Sequence, residues 1–336
     1  MKNLSSRAIS NSIENSFKVV NDIKLDSNTC NSIFSIKTVN QWLRDASNKP
    51  IPKPLYLSFW FEGEVCILFA DTNLGKSILA VQIADIISQN EKVLYIDFEL
   101  SEKQFEARYS NDFKNHYNFN ENFIRAEINP EKADYKEVGF KCLEDFIKSS
   151  IEHSIKETNA KVLIIDNLTY LSSENEKAKE ALPLMKHLIE LKKNFGLSLL
   201  VLAHTPKRIK SQPITNNDLQ GSKMIINFCD SAFSIGESSQ GKTTRYLKQI
   251  KTRNSEFEYD TDNVAVFEIS KENNFLSFKY VQTSSEHEHL RIYTPEDKDK
   301  LIEKAKELHK RGLTQRDIAK DIGVALGTVN KYLNDK

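Results

Sequence analysis

The sequence predicts an α/β protein built on a mostly parallel sheet, followed by a small all-α unit. Three observations predict it. Four short apolar runs, VCILF from Val65, VLYI from Val93, VLII from Val162 and LLVL from Leu199, are continuous rather than alternating, as expected of strands buried on both faces of a parallel sheet. Helical stretches lie between them, SILAVQIADIISQ from Ser77 and ALPLMKHLIELKKNFG ending at Gly196, giving the β-α-β rhythm of a doubly wound fold with right-handed crossovers. Near the C-terminus the strand pattern gives way to three short segments with helical spacing.

The chain has 336 residues, 39% of them apolar, enough for one full-sized core and small appendages. Lysine plus arginine equals aspartate plus glutamate at 47 each, so no global field draws the chain to nucleic acid or to an anionic membrane. Any nucleic-acid contact must be local. Cys30, Cys66, Cys142 and Cys229 are scattered without metal-ligand spacing, which argues against a zinc site or a disulfide framework and for a reducing cytoplasm. The apolar runs are too short to span a bilayer and no leader pattern opens the chain, so the expectation is a cytoplasmic protein with no membrane partner.

In chain order, residues 1–34 are rich in Ser, Asn and charge and are expected to form a loosely ordered arm. From Ser35, the residues Ile36, Val39, Trp42 and Leu43 fall at helical spacing, and prolines 50, 52 and 54 then end the helix. After about residue 230 come SAFSI, YLKQIKTR, NVAVFEIS and FLSFKYV, expected to extend the sheet as antiparallel neighbours. A charged stretch around 284–300 is expected to separate the core from the last helices. The organisation is thus an arm and short helix over 1–45, a main domain over 46–283, and a linker with a helical unit over 284–336.

The run ADTNLGKS at 70–77 directly follows the first apolar strand and opens a helix, the context a phosphate-binding loop requires. Asp71, Thr72, Asn73, Leu74, Gly75, Lys76 and Ser77 form the candidate cradle for ATP. Gly75 allows backbone amides to turn inward at a helix N-terminus, Lys76 reaches the β- and γ-phosphates, and the Ser77 hydroxyl binds Mg²⁺. Ala70 stands where the usual pattern has its first glycine, which an alanine satisfies only at ordinary backbone angles. No G-x-G-x-x-G is present, which argues against a dinucleotide fold. Asp166, ending VLIID, is the candidate Mg²⁺ carboxylate complementing Ser77; the bland alternative is turn initiation by Asp166-Asn167.

These motifs resemble the RecA-like P-loop ATPases, in particular the DnaB-type and plasmid RepA-type replicative helicases and the RepA-like ATPases of mobile elements, over about residues 46–283. The segment IDFELS at 96–101, with Glu102, Gln104 and Arg108, is similar to that family's strand carrying a catalytic glutamate. The resemblance implies that Glu99 is the general base and that His204, in VLAHTPK, senses the γ-phosphate. It further implies that Lys251 and Arg253, in IKTRN, form a lysine-x-arginine finger reaching a neighbouring subunit's nucleotide, and that the chain is a homo-oligomeric ring such as a hexamer. Lys207, Arg208 and Lys210 fall where such rings line a channel for DNA. Each has a plainer reading: Glu99 as a helix-dipole charge beside the cap Ser101, His204 as a structural histidine, and the basic residues as solvated surface.

The C-terminal stretches at 295–309, 314–322 and about 325–333 have Thr314-x-x-Asp317 as a capping-box variant, with Gly312 and Gly323 as terminators. The spacing of Ile318, Ala319, Ile322, Val324, Val329 and Tyr332 resembles resolvase-type and transcription-regulator helix-turn-helix units. That resemblance implies DNA as a partner, with Thr328, Asn330 and Lys331 facing the major groove and Gln315, Arg316 and Lys320 on phosphates. A helical bundle for protein contacts is the alternative. The resulting expectation is an Mg²⁺-dependent ATPase coupled to DNA, either a helicase-like motor or loader in plasmid or mobile-element replication, or an ATP-gated DNA-binding regulator.

Overall fold

The computed structural model describes residues 34–129, 134–168, 178–205, 208–219, 222–291, 295–324 and 326–334. The expected arm lies almost wholly outside the described residues, as does Lys207. Helices are α1 (Val39–Ser47), α2 (Lys76–Ser88), α3 (Glu102–Arg108), α4 (Leu143–Thr158), α5 (Ala178–Phe195), α6 (Ser222–Phe228), α7 (Pro295–Lys310), α8 (Gln315–Ile322) and α9 (Leu326–Asn334). Strands are β1 (Pro54–Tyr56), β2 (Trp60–Phe61), β3 (Val65–Ala70), β4 (Val93–Asp97), β5 (Ser110–Asn111), β6 (Asn115–His116) and β7 (Phe123–Glu127). They continue with β8 (Val162–Asp166), β9 (Ser198–His204), β10 (Ser231–Glu237), β11 (Thr244–Lys251), β12 (Val264–Glu272) and β13 (Phe275–Ser284).

Among the described residues, 34–51 belong to one unit and those from 52 onward to another. In the first, α1 starts at Val39 rather than Ser35, because Thr38 and Gln41 close a reciprocal capping box there. Its apolar residues Val39, Trp42 and Leu43 are exposed.

The second unit is organised by a sheet of order β13-β12-β11-β10-β3-β9-β8-β4-β7. From β10 to β7 every neighbouring pair is parallel, and from β10 outward to β13 every pair is antiparallel. This is the α/β, mostly parallel architecture expected of a RecA-like P-loop core. One expectation is corrected: β10 joins the parallel side, pairing Ser231–Ile235 with Cys66–Ala70 of β3. Helix α6 carries the chain back across the sheet before β10 begins, so the strand enters in the same direction as β3.

Side-chain alternation divides the central strands between two cores. Val65, Ile67 and Phe69 of β3 face α4 and α5 together with Leu163, Ile165, Leu199 and Val201. Cys66 and Leu68 face α2 together with Tyr95, Ile164, Leu200 and Leu202. The central parallel strands β3, β4 and β8 are buried along their whole length, which explains why their sequences are continuous rather than alternating. The antiparallel end curls back onto α2: Gln82 Nε2 donates to Phe278 O at 3.0 Å, and Phe278 N donates to Gln82 Oε1 at 2.8 Å.

The linker expected from residue 284 is also corrected. Glu286 and His289 are buried in the main core. Glu286 accepts from Lys248 Nζ at 2.5 Å, Tyr246 Oη at 3.1 Å and Ile214 N at 2.7 Å. Charge in this stretch reads as solvent-facing, but an internal cation makes it interior. Helices α7, α8 and α9 then enclose their own apolar cluster of Ala305, Ile318, Ile322, Val329 and Tyr332. The Thr314 hydroxyl accepts from Asp317 N at 3.3 Å, and Gly323 ends α8 in the left-handed region at φ 68°.

Candidate nucleotide site

The P-loop begins where β3 ends. Ala70 is an ordinary strand residue in register with His204 of β9 and Ile235 of β10, so a Cβ at the usual glycine position meets no backbone conflict. Left-handed angles fall later, at Asn73 (φ 65°) and Gly75 (φ 96°). At Gly75 glycine is demanded twice, since a Cβ would also stand 3.1 Å from the Phe278 ring. Helix α2 starts immediately afterward, directing its N-terminal partial charge into the loop.

Lys76 is 7% exposed. Its Nζ donates to Ala70 O at 3.0 Å and Asp71 O at 3.3 Å, and lies 3.4 Å from His204 Nδ1. Burial lowers its pKa, while Glu99, Asp166 and Asp71 pull it back up. The ammonium therefore rests on the loop's own carbonyls, within the circle of groups that would surround a phosphate.

Asp166 ends β8 fully buried, with Oδ2 accepting from the Tyr95 hydroxyl at 2.7 Å. Its Oδ1 is buried without a hydrogen-bond partner among the described residues. Burial pushes its pKa up to about 6, against the pull of the Ser77 and Tyr95 hydroxyls. A buried carboxylate oxygen whose nearest donor is the Ser77 hydroxyl at a helix start is a donor set that suits Mg²⁺.

Glu99 is positioned by residues that the sequence reading missed. Asp97 caps the turn after β4, its Oδ1 accepting from Glu99 N at 3.0 Å and Leu100 N at 2.9 Å. Arg125 of β7 holds the other Asp97 oxygen at 3.0 Å. The Glu99 carboxylate accepts from Asn167 Nδ2 and lies 3.2 Å from His204 Nε2, which in turn is 2.9 Å from Asn167. The His204 contact is the main reason that the Glu99 pKa is lowered, so the carboxylate stays ionised. Lys76, His204, Glu99 and Asn167 thus form one chain of contacts, with Asp166 preceding Asn167 in the backbone.

The other candidates lie elsewhere. Lys251 donates to the carbonyls of Ile226 and Asn227, and to Cys229 O at 2.7 Å, capping the C-terminal end of α6. Arg253 pairs with Asp230 at 3.0 Å. Both sit near the start of β10, at the end of the sheet opposite the P-loop. Arg208, expected on an open loop, has a side chain only 7% exposed, turned toward Asp218. Lys210 is half-exposed and pairs with Glu237 at 2.5 Å. In the C-terminal helices Arg316, Lys320, Asn330 and Lys331 are exposed, while Gln315 and Thr328 are partly buried.

A phosphate-cradling loop after β3, a buried carboxylate ending β8 and an ionised glutamate just past β4, all at one end of the same parallel sheet, define a P-loop ATPase. Residues 32–209 match the family model described as an AAA domain, and the chain belongs to that family. No curated protein matches the chain. Among solved structures it is similar to a KaiC-like protein of the hyperthermophilic archaeon Pyrococcus horikoshii OT3, at 16% identity and a TM-score of 0.45, over 65% of this chain and 90% of that one. No helix among the described residues is long and apolar enough to cross a membrane.

Proposed function

We propose that the chain is an Mg²⁺-dependent ATPase whose turnover is coupled to DNA, of the DnaB- and RepA-like type. The observation that carries the catalytic part is the contact chain Lys76–His204–Glu99–Asn167 above the P-loop. When ATP enters, Lys76 exchanges the Ala70 and Asp71 carbonyls for phosphate oxygens. That withdraws the ammonium from His204 Nδ1, so the γ-phosphate is felt at the histidine that holds Glu99. Ionised Glu99 accepts the proton of the attacking water. Ser77 and Asp166 would hold Mg²⁺, which when bound neutralises charge on the β- and γ-oxygens.

The DNA part rests on the capped helix α8 and on α9, whose spacing resembles a helix-turn-helix, and on the exposed Arg316, Asn330 and Lys331. Assembly is part of the reading, because Lys251 and Arg253 lie at the far end of their own sheet and would reach a nucleotide only on another copy. Mixing Glu99→Gln with Arg253→Ala protein tests this: restored turnover supports a shared site, and none opposes it.

A second reading has an observation in its favour. Gly323 of the C-terminal helices packs beside Arg208 O, on the loop that follows His204, so nucleotide state could gate DNA binding without translocation. Steady-state ATP hydrolysis without DNA, with single strands and with duplex, against Lys76→Ala as blank, decides between them. Stimulation by single strands supports the motor. Intact DNA binding without stimulation supports the gated regulator.

A further inference from the structure

Beside the P-loop and Thr205, which follows His204, lies a cleft of about 540 Å³ whose walls come from two parts of the chain. Its floor includes Asp71 and Thr72. One wall carries Arg208, Lys210 and Arg291; the other carries Lys300 and Lys304 of α7 and Lys320 of α8. Against these six cations stand the carboxylates Asp71 and Asp321. Glu237 on Lys210 and Asp218 near Arg208 offset two more of the six, and the groove still keeps an excess of positive charge in a protein with no net charge.

The first wall is tied within itself, Arg291 N donating to Lys210 O at 3.3 Å, and the two walls meet at Gly323, where a Cβ would stand 3.4 Å from Arg208 O. Arg208 is nearly buried, yet its Nε makes no hydrogen bond, with Asp218 only at 3.8 Å. Lys304 lies 3.2 Å from Asp321 and Lys210 2.5 Å from Glu237. These are largely exposed pairs, which an incoming phosphate displaces at little cost. A second cavity of about 420 Å³ shares Asp71, Arg208, Lys210 and Arg291, and so continues the groove.

We propose that this composite groove seats the phosphate backbone of one single nucleic-acid strand, gripped jointly by the 208–210 loop and by α7 and α8. The proposal deepens the DNA-coupled reading above and rests on it. At about 540 Å³ the cleft is on the scale of a ligand pocket, so its occupant is a stretch of single-strand backbone rather than a duplex. Among the cleft's lining residues none is aromatic, so recognition is by charge and is indifferent to base sequence. Lys320 then serves the strand beside the P-loop, not a duplex phosphate flanking the major groove. A strand seated there touches the loop after His204 and the mouth of the P-loop together, the contact through which it would alter turnover.

The test is fluorescence anisotropy of a labelled oligothymidylate with the full chain, titrated from low to moderate salt. Lys300→Gln, Lys304→Gln and Lys210→Gln should each flatten the dependence of log affinity on log salt by about 0.7, the single-strand value per phosphate contact. Lys193→Gln, on exposed α5 surface, should leave it unchanged, and Asp321→Asn should tighten binding. Hydrolysis without DNA should be unaltered in the Lys300 and Lys304 variants. If the wild type binds strands while those variants match it, and only Asn330→Ala or Lys331→Ala weakens binding, the groove proposal fails and the DNA reading stands. If the wild type binds neither strand nor duplex, the DNA reading fails and takes the groove with it.

Discussion

Asp166→Asn should make the metal-free protein more stable while stopping hydrolysis. The carboxylate is fully buried, and its pKa rises from 3.8 to about 6 on folding. At about 1.36 kcal/mol per pH unit, the ionised group costs the folded state about 3 kcal/mol at pH 8. An amide still accepts from the Tyr95 hydroxyl, but its NH₂ must turn the Ser77 hydroxyl from donor to acceptor and keeps one N–H without a partner, which returns about 1–2 kcal/mol of that. The net gain is about 1–2 kcal/mol, with each kcal/mol worth ~2–4 °C in Tm. The folded state holds this proton more tightly than the unfolded one, so the wild-type penalty is complete above pH 6 and gone below pH 3.8. The gap between variant and wild type should therefore close as pH falls through about 6. Urea or thermal unfolding in EDTA at pH 8 and pH 5 measures this. A variant no more stable than wild type at pH 8, or a gap that widens on acidification, would refute the argument. With Asp166 holding Mg²⁺ as proposed, the metal would compete with the proton there, and Mg²⁺ affinity should fall below about pH 6.

Glu99→Gln should keep ATP binding, read as an unchanged nucleotide-induced thermal shift, and lower turnover by about 10²-fold or more; near-normal turnover would remove Glu99 from its role. Gly75→Ala should destabilise by about 1–2 kcal/mol through left-handed strain alone, with further loss from the Phe278 contact and weaker nucleotide binding by calorimetry. Lys248→Met should destabilise by about 3–5 kcal/mol, because Glu286 is left buried without its cation. The double variant with Glu286→Leu should recover most of that loss in urea unfolding, and a strictly additive result would show that the pair is uncoupled.

Much of the site was legible because phosphate binding needs local things: a strand, a glycine that can turn, a lysine and a hydroxyl at a helix start. These fall within eight consecutive residues, 70–77. Glu99 and His204 were legible through resemblance and by their places after apolar runs. Asn167 was read only as a turn former, because its contacts with Glu99 and His204 join residues far apart in the chain. Asp97 carried a readable signal, an Asp two residues before Glu99 at a strand end, where its side chain caps the turn. Arg208 was legible only as a channel-lining or solvated loop cation, because only the fold brings Asp218 and the C-terminal helices against it.

The sequence by itself determined the element types, the continuous apolar strands, the glycine-bearing loop and the capped C-terminal helices, since each follows from periodicity and backbone chemistry within a few residues. Tertiary structure decided the parallel entry of β10 beside β3, the burial of Glu286 against Lys248, the convergence of Lys76, His204, Glu99 and Asn167, and the meeting of two basic segments beside the P-loop. Those depend on strand order and on which charges the fold takes out of water, and pairings over such separations leave no period in the sequence.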